Sequence, residues 1–442
     1  MGRTSAAGAE RGAMTDAVRS DRDLTLDLVR VLCLLIVVAA HVTFVALRPG
    51  PDGSPQNFLP MQELQFFAEL AWFAQPMPLF FVVGGFASLT GWRSAQRRGE
   101  DGWMFFRARL IRLVRPAAGF LLIITTVVWI PVLLGVPRAL GDAALHGIGL
   151  PLWFIGAYLL CQAAVPFLAE QHRRHPLRTL AVLFAGAVVT DAVRLIMDNP
   201  MAGLPNYLFV WPLIQQLGFL LADGWFDHGP ANASRPFGLH RWQMIIGVVI
   251  SFVLVAATGT LLPYGGDMLQ NQIPPTLPLI MIALGHTLLL RLLHEPLTRL
   301  MERKGAQLAV FVVGSRAMTL YLWHVPFVVA IAALFFFVPG YPQPPGTGWW
   351  WTRPVVFLLV LGLVFLVSLG VARWERGPAP ERLRQLDTPV ARGRLVLAGL
   401  LAVTLPYATV ITSLDTAVIL LGTAAMVLAC LLVTRIGPRA QK

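Results

Sequence analysis

Apolar residues run in stretches of about twenty along almost the whole chain, from residue 26 to residue 434, with short polar segments between them. A bilayer hydrocarbon core of ~30 Å is crossed by about 20 residues of helix, so the pattern predicts membrane-spanning helices rather than amphipathic helices with one wet face. Twelve such stretches can be marked, at about 26–47, 70–92, 116–135, 150–169, 177–196, 205–222, 241–262, 276–297, 317–338, 354–373, 394–412 and 415–434. The predicted fold class is an all-α, polytopic integral membrane protein of about twelve transmembrane helices. Residues 1–25 are small and polar without an apolar run, which predicts a flexible tail and an uncleaved first span.

Composition agrees with this reading. Of 442 residues, 56% are hydrophobic and 13% charged; soluble domains carry ~25% charge, so a water-exposed surface of this size cannot be clothed and disorder is excluded. The net charge of +12 changes meaning once it is mapped onto the loops. With the N-terminus inside, alternation over twelve spans places 30 basic residues in inner segments and three, Arg48, Arg138 and Arg353, in outer loops, with Arg30 and Arg194 inside spans. This asymmetry is the positive-inside signature, predicts both termini in the cytoplasm, and accounts for the basic excess without nucleic acid. Cys33, Cys161 and Cys430 lie far apart in apolar runs, which predicts packing roles and no metal site. Trp349, Trp350 and Trp351 read as an interfacial belt before the tenth span, and the absence of an internal repeat argues against paired inverted halves.

Candidate chemistry lies where lipid should be. The first span buries Asp27, Arg30 and His41. Asp or Arg at bilayer depth costs ~2.5 to 3.5 kcal/mol, so such groups face the bundle interior and find partners. Arg30 and His41 are eleven residues apart, almost three helical turns, which puts them on one face ~16 Å apart along the axis, while Asp27 is one turn before Arg30 and can pair with it. A packing histidine and a snorkelling arginine are the plain alternatives. Their common face favours a function, with His41 as a general base, since imidazole titrates at ~6.5.

In the inner segment after the second span, Arg109, Arg112 and Arg115 recur at i, i+3 and i+6. Guanidinium forks bind phosphate oxygens in pairs, which suits a phosphorylated cofactor, although a basic loop resting on anionic lipid has the same composition. In the ninth span Tyr321 and His324 share a face one turn apart, where the phenol could orient the imidazole. Asp191 with Arg194 reads as a self-neutralising pair; His286, Gln215, Gln216 and Trp153 read as packing or interface residues. There is no phosphate-binding loop, zinc-protease motif or nucleophile elbow.

These residues resemble the acyltransferase-3 family of integral membrane acyltransferases. The resemblance rests on Leu26-Asp27-Leu28-Val29-Arg30 followed after ten residues by His41, on Pro78 to Phe86, on Arg109-Leu110-Ile111-Arg112-Leu113 with Pro116, on Leu152-Trp153-Phe154, and on Tyr321-Leu322-Trp323-His324. Gly84 departs from the pattern, since the family usually has Ser there. The likeness covers about 22–375. It implies a ten-helix membrane domain at 26–375, a basic linker at 376–393, two additional helices at 394–435 and a tail at 436–442.

It further implies an acyl-CoA-dependent O-acyltransferase of the cell membrane that uses no metal. An acyl group, often acetyl from cytoplasmic acetyl-CoA, would pass to a hydroxyl of a glycan, glycolipid or small molecule. The co-substrate would lie on Arg30, Arg109, Arg112 and Arg115; His41, His324 and Tyr321 would be catalytic, with Asp27 and Trp153 in orienting roles. Direct transfer, an acyl-histidine intermediate and a homo-oligomer all stay open. A transporter or flippase with no acyl transfer is the rival reading, and a lipid-sensing scaffold ranks below it because it leaves the buried histidines unexplained.

Overall fold

The computed structural model describes residues 23–51, 53, 55–229, 236–264, 268, 270–375 and 389–434. The tails expected at 1–25 and 436–442 and the linker at 376–393 fall largely outside them. Fifteen α-helices are described: α1 (Leu24–Phe44), α2 (Gln65–Ala74), α3 (Pro76–Arg97), α4 (Gly102–Leu133), α5 (Arg138–Gly149), α6 (Trp153–Arg174), α7 (Pro176–Ile196), α8 (Val210–Ala222), α9 (Arg241–Leu261), α10 (Pro278–Met301), α11 (Lys304–Gly314), α12 (Ala317–Phe336), α13 (Thr347–Glu375), α14 (Pro389–Ile411) and α15 (Thr416–Thr434). Eleven described helical segments are long and apolar enough to cross a membrane, and the chain is a multi-pass, all-α membrane protein. A single short hairpin pairs β1 (Ala46–Pro49) with β2 (Pro55–Phe58) just beyond α1.

Two expected spans differ in detail. The second is broken at Gln75-Pro76 into α2 and α3, with the Gln75 side chain capping the Met77 amide at 3.2 Å. The sixth, expected over 205–222, is a 3-10 segment (Pro200–Leu208) followed by the thirteen-residue α8. At 1.5 Å per residue α8 is ~20 Å long, too short for the bilayer core. Every residue from Val210 to Leu220 is buried. Its apolar sequence therefore records burial in protein, which hydropathy alone cannot tell from burial in lipid.

The first helix is the axis of the molecule. Asp23 caps it, accepting from the Thr25 amide at 2.9 Å and meeting His294 Nε2 at 2.9 Å. Along its length Leu26, Val29 and Cys33 pack toward α3 and α10, Leu28 and Val31 toward Met301 and Val310, and Leu34, Val38 and Val42 into the core shared with α4, α6 and α12. α14 and α15 continue that same core through Ala398, Ala402, Met426 and Ala429. Polar ties support them: Thr125 meets Thr423 at 2.7 Å, and Arg107 reaches the Val433 carbonyl at 3.3 Å. Their other faces expose Leu397, Leu400, Leu421 and Leu428, the pattern of a lipid-facing brace.

α3 and α8 cross closely because both are glycine there. A Cβ on Gly85 would strike the Gln215 carbonyl, and one on Gly218 the backbone of Val82 and Phe86. Nearer the ends of these helices, Asp223 takes both guanidinium nitrogens of Arg93, at 2.5 and 3.0 Å, and His172 Nε2 at 3.3 Å, which ties α3 to α6. Burial alone would raise the Asp223 carboxyl, but the hydrogen bonds from His172 and Arg93 and their charges outweigh it and hold it at about 2. Asp191 forms a second knot, accepting from Asn206, Tyr264 and the Leu277 amide at 2.8 to 2.9 Å, with Arg194 at 3.7 Å.

Two predictions follow from this packing. Gly85→Ser should lower the thermal midpoint in detergent by an amount equivalent to ~1 to 3 kcal/mol, whereas Gly84→Ser, whose added Cβ would meet only Tyr158 at 3.9 Å, should leave it nearly unchanged. Because folding depresses the Asp223 carboxyl below its unfolded ~3.9, the stability it contributes is complete above about pH 4 and is lost as the pH falls toward 2. Allowing for partial exposure, that contribution is about 1 to 2 kcal/mol. Asp223→Asn should abolish this component of acid sensitivity, read as the thermal midpoint at pH 5 and pH 3.

Candidate active site

Two histidines brought together from distant segments form the centre. His41 lies in the last turn of α1 and His324 on α12, with ring centroids 4.9 Å apart and planes crossed at 78°. His324 is fully buried and His41 half-buried. His324 Nδ1 lies 2.9 Å from the Leu320 carbonyl and His41 Nδ1 2.8 Å from the Val37 carbonyl, one turn back on each helix. Carbonyl oxygens only accept, so this network assigns the hydrogen of each ring to Nδ1. His324 Nε2 then presents a lone pair to His41 Nδ1 at 3.4 Å. His41 Nε2 keeps its own lone pair and has no hydrogen-bond partner among the described residues. A ring held in this way can take a proton at Nε2 while its Nδ1–H is steadied by a carbonyl and a second imidazole.

Tyr321 is placed differently from expectation. Its hydroxyl donates to the Pro151 carbonyl at 2.5 Å and its ring packs on Phe154 at 5.2 Å, so the imidazole of His324 is oriented by the Leu320 carbonyl and not by the phenol. Trp153 is buried and stacks on Trp211, which in turn stacks on Phe81. This makes it a strut behind the site.

Arg30 extends from α1 toward the start of α4. It pairs with Asp27 at 3.3 Å, as the one-turn spacing required, and donates to the Val83 carbonyl at 3.3 Å. Arg109 from α4 lies within electrostatic range of Arg30, Arg112 and Tyr158, rests over the Phe105 ring at 5.0 Å, and approaches α3 where Gly91 leaves space. Among the described residues neither Arg109 nor Arg112 has a carboxylate partner. Arg30, Arg109 and Arg112 thus lie near one another, and of the three only Arg30 is paired with a carboxylate, Asp27, among the described residues.

Arg115 does not complete the ribbon. Each i+3 step turns 300°, so Arg115 is rotated about 120° from Arg109. It acts on Cys430 of α15 instead. Between the arginines and His41, α3 presents Gly84, around which only Tyr158 comes within 4 Å of the missing side chain. Arg30 and His41 lie on the same helix, ~16 Å apart along its axis.

Sequence reasoning singled out both histidines but not their contact, since a 283-residue separation carries no distance. It also passed over Tyr158, Arg93, His172 and Asp223. His172 has both ring nitrogens engaged, with Gln216 at 3.0 Å and Asp223 at 3.3 Å, and so has no free lone pair to offer as a base. A buried His286 meets the Phe73 carbonyl at 3.1 Å between α2 and α10, in keeping with packing. Among the described residues no cluster of His, Cys, Asp and Glu could hold a metal.

Comparison with known proteins yields no match among curated proteins or solved structures. A family model for an acyltransferase domain matches residues 23–373, from the cap of α1 nearly to the end of α13. The histidine pair and the arginine cluster both lie inside the matched region, α14 and α15 lie beyond it, and the chain belongs to the acyltransferase-3 family.

Proposed function

We propose that the protein transfers an acyl group, most simply acetyl, from acyl-CoA to a hydroxyl of a glycan, glycolipid or small molecule, with His41 as general base. The observation that carries this reading is the grouping of Arg30, Arg109 and Arg112, of which only Arg30 is paired with a carboxylate among the described residues, joined by the first helix to a histidine with a free Nε2. Guanidinium groups crowded at the edge of an apolar bundle repel one another, and bound phosphates relieve that repulsion. Coenzyme A supplies phosphates at one end and a thioester at the other, with a long arm between. In the orientation that the basic-loop asymmetry favours, both termini are cytoplasmic, the arginines face the cytoplasm, and α8 with its 3-10 lead-in serves as the twelfth crossing.

The chemistry then balances without a further reagent. The acceptor hydroxyl gives its proton to His41 Nε2 while its oxygen bonds to the thioester carbonyl carbon. The tetrahedral intermediate collapses, the C–S bond breaks, and the departing thiolate takes the proton back from His41. His324 holds the His41 ring and spreads the charge it acquires. Tyr321 fixes the backbone at Pro151. Arg115, turned toward α15, has a supporting role.

A transporter would move substrate without consuming thioester, and in it the free lone pair on His41 would have no chemical duty. The test is release of free thiol from acetyl-CoA by membranes that contain the protein, supplied with the glycans and lipids of the expressing cell. His41→Ala should reduce the rate ~10²- to 10⁴-fold with the protein still folded. Full activity in that variant would remove His41 from the mechanism, and no thioester consumption by the parent under any acceptor mixture would favour transport.

A further inference from the structure

One polar group beside the arginine cluster takes no part in the hydrogen bonding of the fold. Tyr158 stands on α6 and is half-buried. Its ring packs against Phe154 at 5.7 Å and Phe81 at 6.5 Å, which holds it toward α3. Its hydroxyl makes no hydrogen bond among the described residues, and unlike the sealed hydroxyls of Tyr207 and Tyr407 it keeps contact with open space. A phenol in a bundle interior normally finds a partner, so an idle O–H here is a donor in want of an acceptor.

Its neighbours say which acceptor. A Cβ built on Gly84 would have the Tyr158 ring at 3.9 Å, so the two residues face each other across α3 and α6. One turn further along both helices Gln162 donates to Ser88 at 2.9 Å, which keeps the helices in that register. The carbonyl next to Gly84, that of Val83, receives Arg30 Nη2 at 3.3 Å. Arg109 reaches α3 at Gly91 and lies within electrostatic range of both Tyr158 and Arg30. The phenol is therefore grouped with two guanidinium groups, one of which, Arg109, has no carboxylate among the described residues.

We infer that Tyr158 is a further binding residue for acyl-CoA, donating its hydroxyl hydrogen to an oxygen of the phosphate that Arg30 and Arg109 attract. The inference rests on the acyl-CoA reading above and deepens it by naming a phosphate ligand that is not a cation. A third guanidinium at this place would add to the repulsion already present, whereas a neutral hydroxyl strengthens the site only when the anion is bound. An O–H donated to an anionic oxygen is among the stronger hydrogen bonds, and the absence of a side chain at Gly84 leaves the phenol room to make it. Tyr158 takes no part in proton transfer: it lies at the level of Arg30, which is ~16 Å along α1 from His41.

The experiment measures the affinity of the full-length, detergent-solubilised protein for acetyl-CoA and for adenosine 3′-phosphate 5′-diphosphate, which is the phosphate-bearing end of coenzyme A without its arm. Tyr158→Phe keeps the ring that packs on Phe154 and Phe81 and removes only the idle hydroxyl, so its thermal midpoint without ligand should match the parent's. It should bind both ligands about tenfold to a hundredfold more weakly, with the KM for acetyl-CoA rising by a similar factor and kcat little changed. Equal affinities in parent and Tyr158→Phe would overturn the inference and leave the acyl-CoA reading standing. Weakened binding of acetyl-CoA alone would put the hydroxyl on the arm and overturn the phosphate assignment. A folded parent that binds neither ligand would overturn the acyl-CoA reading and this inference with it. Should Tyr158→Phe not fold, Tyr158→Gln and Tyr158→Leu, close in size but with and without a donor, decide the matter: the Gln variant must bind both ligands more tightly than the Leu variant, and equal binding by the two overturns the inference.

Discussion

A positive charge in an apolar bundle must be matched, and most of what is distinctive about this molecule follows from where that match is missing. The fold spends its carboxylates with economy: Asp223 holds Arg93 and His172, Asp227 meets Arg291 at 3.0 Å, and Asp191 gathers Asn206, Tyr264 and Leu277 beside Arg194. Of Arg30, Arg109 and Arg112, only Arg30 is paired with a carboxylate, Asp27, among the described residues. Desolvation and mutual repulsion both oppose such a cluster, and on the acyl-CoA reading an anionic ligand completes it.

The first helix converts that constraint into an axis. It carries Arg30 near its start and His41 in its last turn, and it is packed on several sides by α3, α10, α11, α12 and α13, which fixes its rotation as well as its position. Rotation matters because, on the proposed mechanism, Arg30 and His41 must present one and the same face of α1. The close crossing of α3 and α8 at Gly85 and Gly218 sets the distance between those two helices. α8, buried from Val210 to Leu220, packs along α3 and so helps to fix its position.

Much of this was legible in the residues. Span length revealed a polytopic membrane protein, and the Arg30 and His41 motif pointed to the family whose model matches residues 23–373. The failures have physical causes. Hydropathy measures aversion to water, so the stretch 205–222 read as one continuous spanning helix, whereas it is a 3-10 segment and a short helix surrounded by protein. The i, i+3, i+6 repeat drifts by 60° per step, so Arg115 stands about 120° round the helix from Arg109. Side-chain partners set by tertiary packing, such as His41 with His324, Tyr321 with Pro151 and Arg353 with Tyr341, have no local signature. Arg353 did leave a trace, as one of three basic residues in the expected outer loops, but its burial could not be read from that.

The most direct measurement of the central claim is the thermal midpoint of the purified protein with and without acetyl-CoA, for the parent and for Arg109→Gln/Arg112→Gln, with AMP as the control nucleotide. A ligand that binds only the folded state stabilises it by ~2.7 kcal/mol at a hundredfold excess over Kd. The account predicts a saturable rise in the parent that AMP does not reproduce and the double variant loses. No rise in folded parent protein at millimolar acetyl-CoA, or an equal rise in the double variant, would contradict it.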